Sequence, residues 1–551
     1  MSGHDDRPRH MAPKPSRLAA LRGVGRQRGA RAAGGARRAG GARGGAGSPD
    51  GPGDAGATRL PDVRRWLLPA GLALAGLVTG GAAFALDGDA TASAVGSDDA
   101  AVATPVLSAR RVPELIAEPI SQRRLAADLD AWLAQSPPDS CLVVDDRGQS
   151  VYAHNADTPL TGASTQKLIT STALLLALGP DARLETRVVA AQAPRDGVVA
   201  GDLYLVGGGD ALLSTAAWRD HFRRQPRTID DIDQLARAIA DAGVRRVEGS
   251  VVGDGDRYDD VTYHPDWPRR FYDDREIGPI GGLMVNDGFA SFPSPASPGA
   301  PTLPAEEPAT DAAAVLTRLL RQHGVEVVGS PRSGDAPEDA TEIAALPSIP
   351  VREIVAEMLT ESDNETAEAA LKEIGHAEAG EGSWSAGAAA ATELLAEAGV
   401  PLDGVEIVDG SGLSIDNRLT CSTLVDVLTR PETGPVLREG LAVAGETGTL
   451  AERWDGTAAE GRMRAKTGTL RNVTALAGDI EVRDGDRVTF AYIANVPDPN
   501  QVTAEQVGLT RLAEILMAYP QGVDVAQLEP AAPVTDADGA AEAATGAPAP
   551  G

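Results

Sequence analysis

Two strand pairs at opposite ends of one long body constrain this chain's fold more than any other feature. CLVVDD (141–146) and SVYAHN (150–155) flank Arg147-Gly148, and TALAGDIEV (474–482) and RVTFAYIANV (487–496) flank Arg483-Asp484-Gly485-Asp486. Short apolar, β-branched runs punctuated by Gly and Asp read as hairpins. Between them lies ASTQKLITSTALLLALG (163–179), a helix that Gly179-Pro180 ends. TRVVAA, GDLYLVGGGD and VEGSVVGD read as strands, and 230–242, 311–323 and 386–398 as helices. The stretch 349–375 reads as two helices broken at Ser362-Asp363-Asn364, and a last helix spans 503–518. Strands at both ends with helices between predict one α+β domain interrupted by an insertion.

The ends differ from the body. Residues 1–65 carry 14 Lys and Arg against 5 Asp and Glu, in a low-complexity Arg, Gly and Ala context that cannot build a core. WLLPAGLALAGLVTGGAAFAL (66–86) is uncharged, long enough to span a membrane and preceded by Arg64-Arg65. Positive charge on that side predicts a cytoplasmic tail at 1–65, one transmembrane helix at 66–86 and an extracellular body. The alternative is a secreted protein cleaved near Ala83-Phe84-Ala85, although a leading region of this length is long for a signal. Residues 87–112 read as a linker and 528–551 as a disordered tail. The net charge of −29, despite the basic head, leaves a strongly acidic body and argues against nucleic acid as partner. Cys141 and Cys421, the two cysteines, are 280 residues apart. They offer no metal-ligand spacing, and they could pair in an exported protein or remain two buried thiols.

Lysine is scarce. Of 50 basic residues only Lys14, Lys167, Lys372 and Lys466 are lysine. A chain that uses arginine wherever either cation serves keeps lysine for a reason, one being that a desolvated lysine can lose its proton. Ser164 and Lys167 stand three apart on one helix face. A serine hydroxyl is a weak nucleophile until a base takes its proton, and a neutral lysine is such a base. Ser362-Asp363-Asn364 sits at a helix break, where polar residues also serve as caps. Lys466-Thr467-Gly468-Thr469 opens a strand: Lys and Thr can grip an anion, and Gly permits close backbone approach to a ligand. Each motif alone is weak. Together and in this order, Ser-x-x-Lys, Ser-Asp-Asn and Lys-Thr-Gly mark penicillin-binding proteins and serine β-lactamases. Lys372, in AALKEIG beside Glu373, reads as a solvated helix lysine without a role.

The surroundings narrow the match. GASTQKLIT, GDLYLVGGGD, GGLMVNDGF, ESDNETAEAALKEIG, VDGSGLSIDNRLT and MRAKTGTLRNVTALAG, spread over about 140–500, resemble the class C low-molecular-weight penicillin-binding proteins. These are D-alanyl-D-alanine carboxypeptidases and endopeptidases. The resemblance implies a transpeptidase-like domain, an antiparallel sheet plus a helical subdomain, built from 113–185 and 340–527. The insertion at 186–339 would be shorter than usual, because GGLMVNDGF passes almost directly into a Pro-rich gap at 292–308. It implies Ser164 as acylated nucleophile, Lys167 as its base and Ser362 as proton relay to the leaving group. Asn364 would hold the substrate amide and Lys167. Lys466 and Thr467, with Gly468, would receive the substrate's carboxylate. The Ser164 and Thr469 N–H groups would form the oxyanion hole, and Asp409 to Asn417 would buttress the site. Peptidoglycan stem peptides and β-lactam antibiotics would be the ligands, with no cofactor and no metal. A serine β-lactamase and a non-catalytic envelope binding protein on the same scaffold are the alternatives.

TGTL occurs twice, after Glu446 and after Lys466. A carboxylate grip needs a cation ahead of Thr-Gly-Thr, so only the second copy reads as a site. The first reads as structural, a glycine turn beneath the active-site strand.

Overall fold

The structure is a computed structural model and describes residues 113–521, apart from 483–484 and some side chains near the two ends. The expected tail at 1–65, membrane span at 66–86, linker at 87–112 and tail at 528–551 lie outside the described residues. Among the described residues no helix is long and apolar enough to cross a membrane.

In chain order the body begins with helix α1 (Pro113–Leu133), strands β1 (Ser140–Asp146) and β2 (Gln149–His154), and helix α2 (Gln166–Leu178). The inserted segment supplies β3 (Glu185–Ala190), β4 (Leu203–Val206), α3 (Asp233–Asp241), β5 (Val251–Asp254), α4 (Pro308–Gln322), β6 (Arg332–Ser333) and β7 (Thr341–Pro347). Helices α5 (Val351–Glu361), α6 (Asn364–Ala379), α7 (Trp384–Glu397) and α8 (Cys421–Thr429) follow. Strands β8 (Ala442–Val443), β9 (Met463–Leu470), β10 (Val473–Glu481) and β11 (Arg487–Asn495) and helix α9 (Val502–Met517) complete it.

The terminal hairpins meet in one antiparallel sheet of order β8-β9-β10-β11-β1-β2. The β1–β11 seam pairs Cys141 with Ile493 and Val143 with Ala491. Successive side chains on a strand point to opposite faces. Leu142, Val144, Phe490 and Tyr492 accordingly join Leu125, Leu129, Leu509 and Leu512 of α1 and α9 in one core. Cys141, Val143, Ala491 and Ile493 join α2 and α8 in another. Both faces are covered, which is why these strands read as nearly continuous apolar runs. The two cysteines form a disulfide that ties β1 to the first turn of α8.

The insertion has its own core, in which Val188, Leu205 and Val251 meet Leu235, Ile239, Leu316 and Leu320. Its five-stranded sheet runs β6-β5-β4-β3-β7, with α3 and α4 packed against it. Between Gly288 and α4 the strand content is a single two-stranded ladder of Phe289–Ser291 with Leu303–Pro304.

Candidate active site

Ser164 lies in a single 3-10 turn (Ala163–Thr165) ahead of α2 rather than in the helix proper. The turn is tight: Ala163 has φ +48°, a left-handed conformation that costs a non-glycine residue energy. Three residues on, Lys167 is fully buried. Its Nζ donates to Ser164 Oγ at 3.2 Å, Asn364 Oδ1 at 2.8 Å and the Ser411 carbonyl at 2.8 Å. Burial pushes the Lys167 ammonium down to about 8, against the opposing pull of Glu368, Asp409, Asp363 and Glu365. An amine so placed loses its proton at modest cost, as a general base beside a hydroxyl must.

The second wall is the α5–α6 corner. Ser362 ends α5 in the left-handed region (φ 62°, ψ 37°), and Asp363 Oδ1 caps α6 by accepting the Thr366 N–H at 3.0 Å. The chain reverses over one strained residue, which turns the Ser362 hydroxyl toward β9. There Lys466 Nζ donates to Ser362 Oγ at 2.8 Å and to the Thr467 carbonyl at 2.9 Å. Asn364 also donates through Nδ2 to the Glu276 carbonyl of the inserted segment at 3.3 Å. Lys466 is fully buried, and burial together with the charge of Lys167 holds its pKa well below the usual lysine range.

β9 forms the third wall. β8 pairs with it only at Arg464 and Ala465, so among the described residues the edge from Lys466 onward has no strand on that side. Gly468 is required by packing within the protein, whereas the sequence suggested approach to a ligand. A Cβ there would lie 2.4 Å from the Gly162 carbonyl oxygen and 3.0 Å from Ala475 Cβ. The absent side chain lets β9 press against the turn that carries Ser164. Thr469 is exposed and its hydroxyl accepts from Gln506 at 3.2 Å.

A buried scaffold stands behind Lys167. Asp409 accepts from the N–H groups of Gly412 and Ser414, from Trp267 Nε1 and from Asn417 Nδ2, at 2.6–2.8 Å. Glu368 of α6 accepts from Trp384 Nε1 and the N–H groups of Gly410 and Ser411 at 2.7–3.0 Å. Together they fix the loop whose Ser411 carbonyl receives Lys167. Burial and the neighbouring Asp409 push the Glu368 carboxyl up to about 7. Glu368 escaped the sequence reading because charged residues on helices are usually solvated, and all of Glu365–Gly375 is buried here.

The same burial overturns the expectation for Lys372. It is not solvated: its side chain is 0% exposed, and its ammonium donates to Asp259 Oδ1 and the Val261 carbonyl at 2.6 Å. It also sits 3.9 Å above the Trp384 ring, a cation–π contact. Neighbouring Glu373 is paired with Arg257. The first TGTL copy is a glycine turn, with Gly448 at φ +54° pressed against the Thr360 carbonyl. It also reaches the site: Thr449 Oγ1 lies 3.3 Å from Thr467 Oγ1, which motif spacing alone could not reveal. Among the described residues no group of three or more His, Cys, Asp or Glu is placed to hold a metal ion.

Residues 125–303 and 290–515 match the D-Ala-D-Ala carboxypeptidase 3 (S13) family. The chain belongs to this family. It is 34% identical over 409 residues to carboxypeptidase DacB of Mycolicibacterium smegmatis, covering 71% of this chain and 85% of the relative. It is 31% identical over 470 residues to a D-alanyl-D-alanine carboxypeptidase of Actinomadura sp., covering 71% and 84%. The fold matches the crystal structure of penicillin binding protein 4 (dacB) from Haemophilus influenzae with a TM-score of 0.58 at 20% identity, covering 70% of this chain and 99% of that one. The chain is thus a class C low-molecular-weight penicillin-binding protein with mixed α/β architecture, and a serine-type D-Ala-D-Ala carboxypeptidase.

Proposed function

We propose that this carboxypeptidase trims peptidoglycan stem peptides through an acyl-enzyme on Ser164, with Lys167 as the base. The observation that carries the assignment is the buried Lys167 ammonium, pushed down to about 8 and 3.2 Å from the Ser164 hydroxyl. In its neutral form Lys167 takes the Ser164 proton as Oγ attacks the carbonyl of the penultimate D-alanine. The N–H groups of Ser164 and Thr469 receive the oxyanion. Lys466 and Thr467 hold the terminal carboxylate. As the C–N bond breaks, the proton that Lys167 took from Ser164 passes by way of the Ser362 hydroxyl to the departing amine, which leaves Lys167 neutral again for the attack of water, while Lys466 donates to Ser362 Oγ and holds it in place. The D-alanine leaves, and water releases the shortened peptide from Ser164.

A neutral β-lactam carbonyl with a nearby carboxylate presents the same pattern, so β-lactams acylate Ser164 and stall there. One solved relative of this fold, from H. influenzae, is complexed with a β-lactam. The apolar segment 66–86 supports a membrane-anchored form with the body outside the cytoplasm, which fractionation of cells expressing the full chain tests.

Fluorescent penicillin tests the site. Stable labelling lost in Ser164→Ala, with D-alanine released from a pentapeptide by the parent protein, is the expected result. Rapid turnover of the drug would mean a β-lactamase instead. Folded protein that takes no label would mean a binding protein.

A further inference from the structure

Besides the Glu276 carbonyl, which receives Asn364, and Trp267, which reaches Asp409, the inserted segment sends a loop to the corner between α5 and α6. Residues 222–228 carry Phe222, Arg223, Arg224 and Arg227. Arg227 is 10% exposed and faces the corner where α5 gives way to α6. Its Nε donates to Glu357 Oε1 at 2.6 Å, its Nη2 lies 3.4 Å from Asp363 Oδ2, and its Nη1 lies 3.7 Å from Glu361 Oε2. The guanidinium also stacks 4.1 Å from the Phe222 ring centre. Arg224 adds a 2.9 Å bond to Glu361. Buried Asp287, held by Trp218 Nε1 at 3.0 Å, is a fourth carboxylate whose charge Arg227 feels.

Asp363 divides its two oxygens between two tasks. Oδ1 caps α6 and Oδ2 meets Arg227. Its sequence neighbours are the two residues that touch the lysines: Ser362 receives Lys466 and Asn364 receives Lys167. Ser362 holds a left-handed backbone that persists only if its surroundings enforce it. Without Arg227, Glu357 and Asp363 would sit close together in a buried corner without the cation between them. Like charges there repel strongly. The turn would open, and both lysine contacts would loosen with it.

We propose that Arg227 is a positioning residue for the Ser362-Asp363-Asn364 turn, so that the inserted segment completes the active site. This rests on the roles given above to Ser362 and Asn364. A single fork meets three carboxylates, two on α5 and one at the cap of α6, a geometry that a lysine cannot reproduce.

The test compares full-length Arg227→Ala, Arg227→Lys and Arg257→Ala, using single-turnover acylation by fluorescent penicillin, steady-state D-alanine release and thermal unfolding. Arg257 is the control, because it pairs with Glu373 of the same helix α6, away from the turn, at 2.5 Å. Arg227→Ala is expected to slow the acylation step on the order of 100-fold, the usual result of misplacing a reacting group by about 1 Å. The dissociation constant of the encounter complex stays within about threefold, since the carboxylate grip is on β9. Arg227→Lys recovers about tenfold of the loss, as a point charge in place of a fork. Arg257→Ala lowers the unfolding temperature but leaves the acylation step intact.

Acylation by folded Arg227→Ala within about threefold of the parent would overturn the proposal, because a misplaced group costs far more. So would an equal slowing in Arg257→Ala at equal loss of stability. If Arg227→Ala does not fold, Arg227→Lys decides: parental acylation in that variant rejects the proposal. Failure of the underlying site assignment is separately visible, as labelling retained in Ser164→Ala.

Discussion

Gly468→Ala isolates the contact between β9 and the nucleophile turn. The added methyl would lie 2.4 Å from the Gly162 carbonyl oxygen, which is main chain and cannot rotate away. Ordinary contact needs about 3.4 Å or more, so β9 and the turn must part by roughly 1 Å. That parting separates the Ser164 and Thr469 N–H groups proposed to bind the oxyanion, because Thr469 follows the substituted residue. Loss of one such donor costs about 3–4 kcal/mol, or roughly 100-fold to 1,000-fold in rate. Overpacking itself costs about 1–3 kcal/mol of stability, which a body of this size survives. Stopped-flow measurement of fluorescent-penicillin acylation alongside thermal unfolding gives both quantities. The expected result is a cooperatively folded protein whose acylation is slowed at least 100-fold. A folded variant acylating within about fivefold of the parent would refute the oxyanion-hole assignment for β9, since a lost donor costs far more.

Three further outcomes follow from the site. Acylation requires neutral Lys167, so its rate should rise with pH through a midpoint near 8, and Lys167→Arg should abolish labelling despite keeping the charge. Lys466 is held down by burial and by Lys167, so an arriving carboxylate should raise its affinity for a proton. Calorimetry of a carboxylate-bearing inhibitor, with the unreactive Ser164→Ala, in buffers of different ionisation enthalpy should then show proton uptake; no uptake at any pH refutes it. Lys466→Glu should lose the substrate, whereas Glu446→Lys should gain nothing in pentapeptide hydrolysis. Replacing Cys141 and Cys421 by alanine should lower the unfolding free energy by about 2–5 kcal/mol in urea titration, because the bridge closes a long loop in the unfolded chain.

The terminal hairpins and the helix break at Ser362-Asp363-Asn364 were legible in the sequence, because each has a local cause. Arg147-Gly148 takes the two positive φ values of a tight turn, and Asp363 caps the helix that follows. The lysine–serine pairing was legible from helical spacing. What stayed hidden depends on contacts distant in sequence. Nothing near Glu368 announces that Trp384 and the Gly410–Ser411 amides converge on it. Lys372 looks solvated until α6 is known to run through the protein's interior. Arg227 lies 136 positions from Asp363, in the inserted segment. Even the cysteines carried no signal of pairing, since β1 and α8 meet only once the sheet has closed.

The burial of lysine has a practical consequence. Lys167, Lys372 and Lys466 are all fully enclosed, so among the described residues no primary amine faces solvent. A lysine-specific protease should leave the folded body intact at these positions and cut it at all three once it unfolds. The rate of that cleavage is therefore a tag-free clock for opening of the protein. Amine-reactive dyes should likewise spare Lys167, Lys372 and Lys466 in the folded body and mark them once it opens, which gives a chemical readout of the same event.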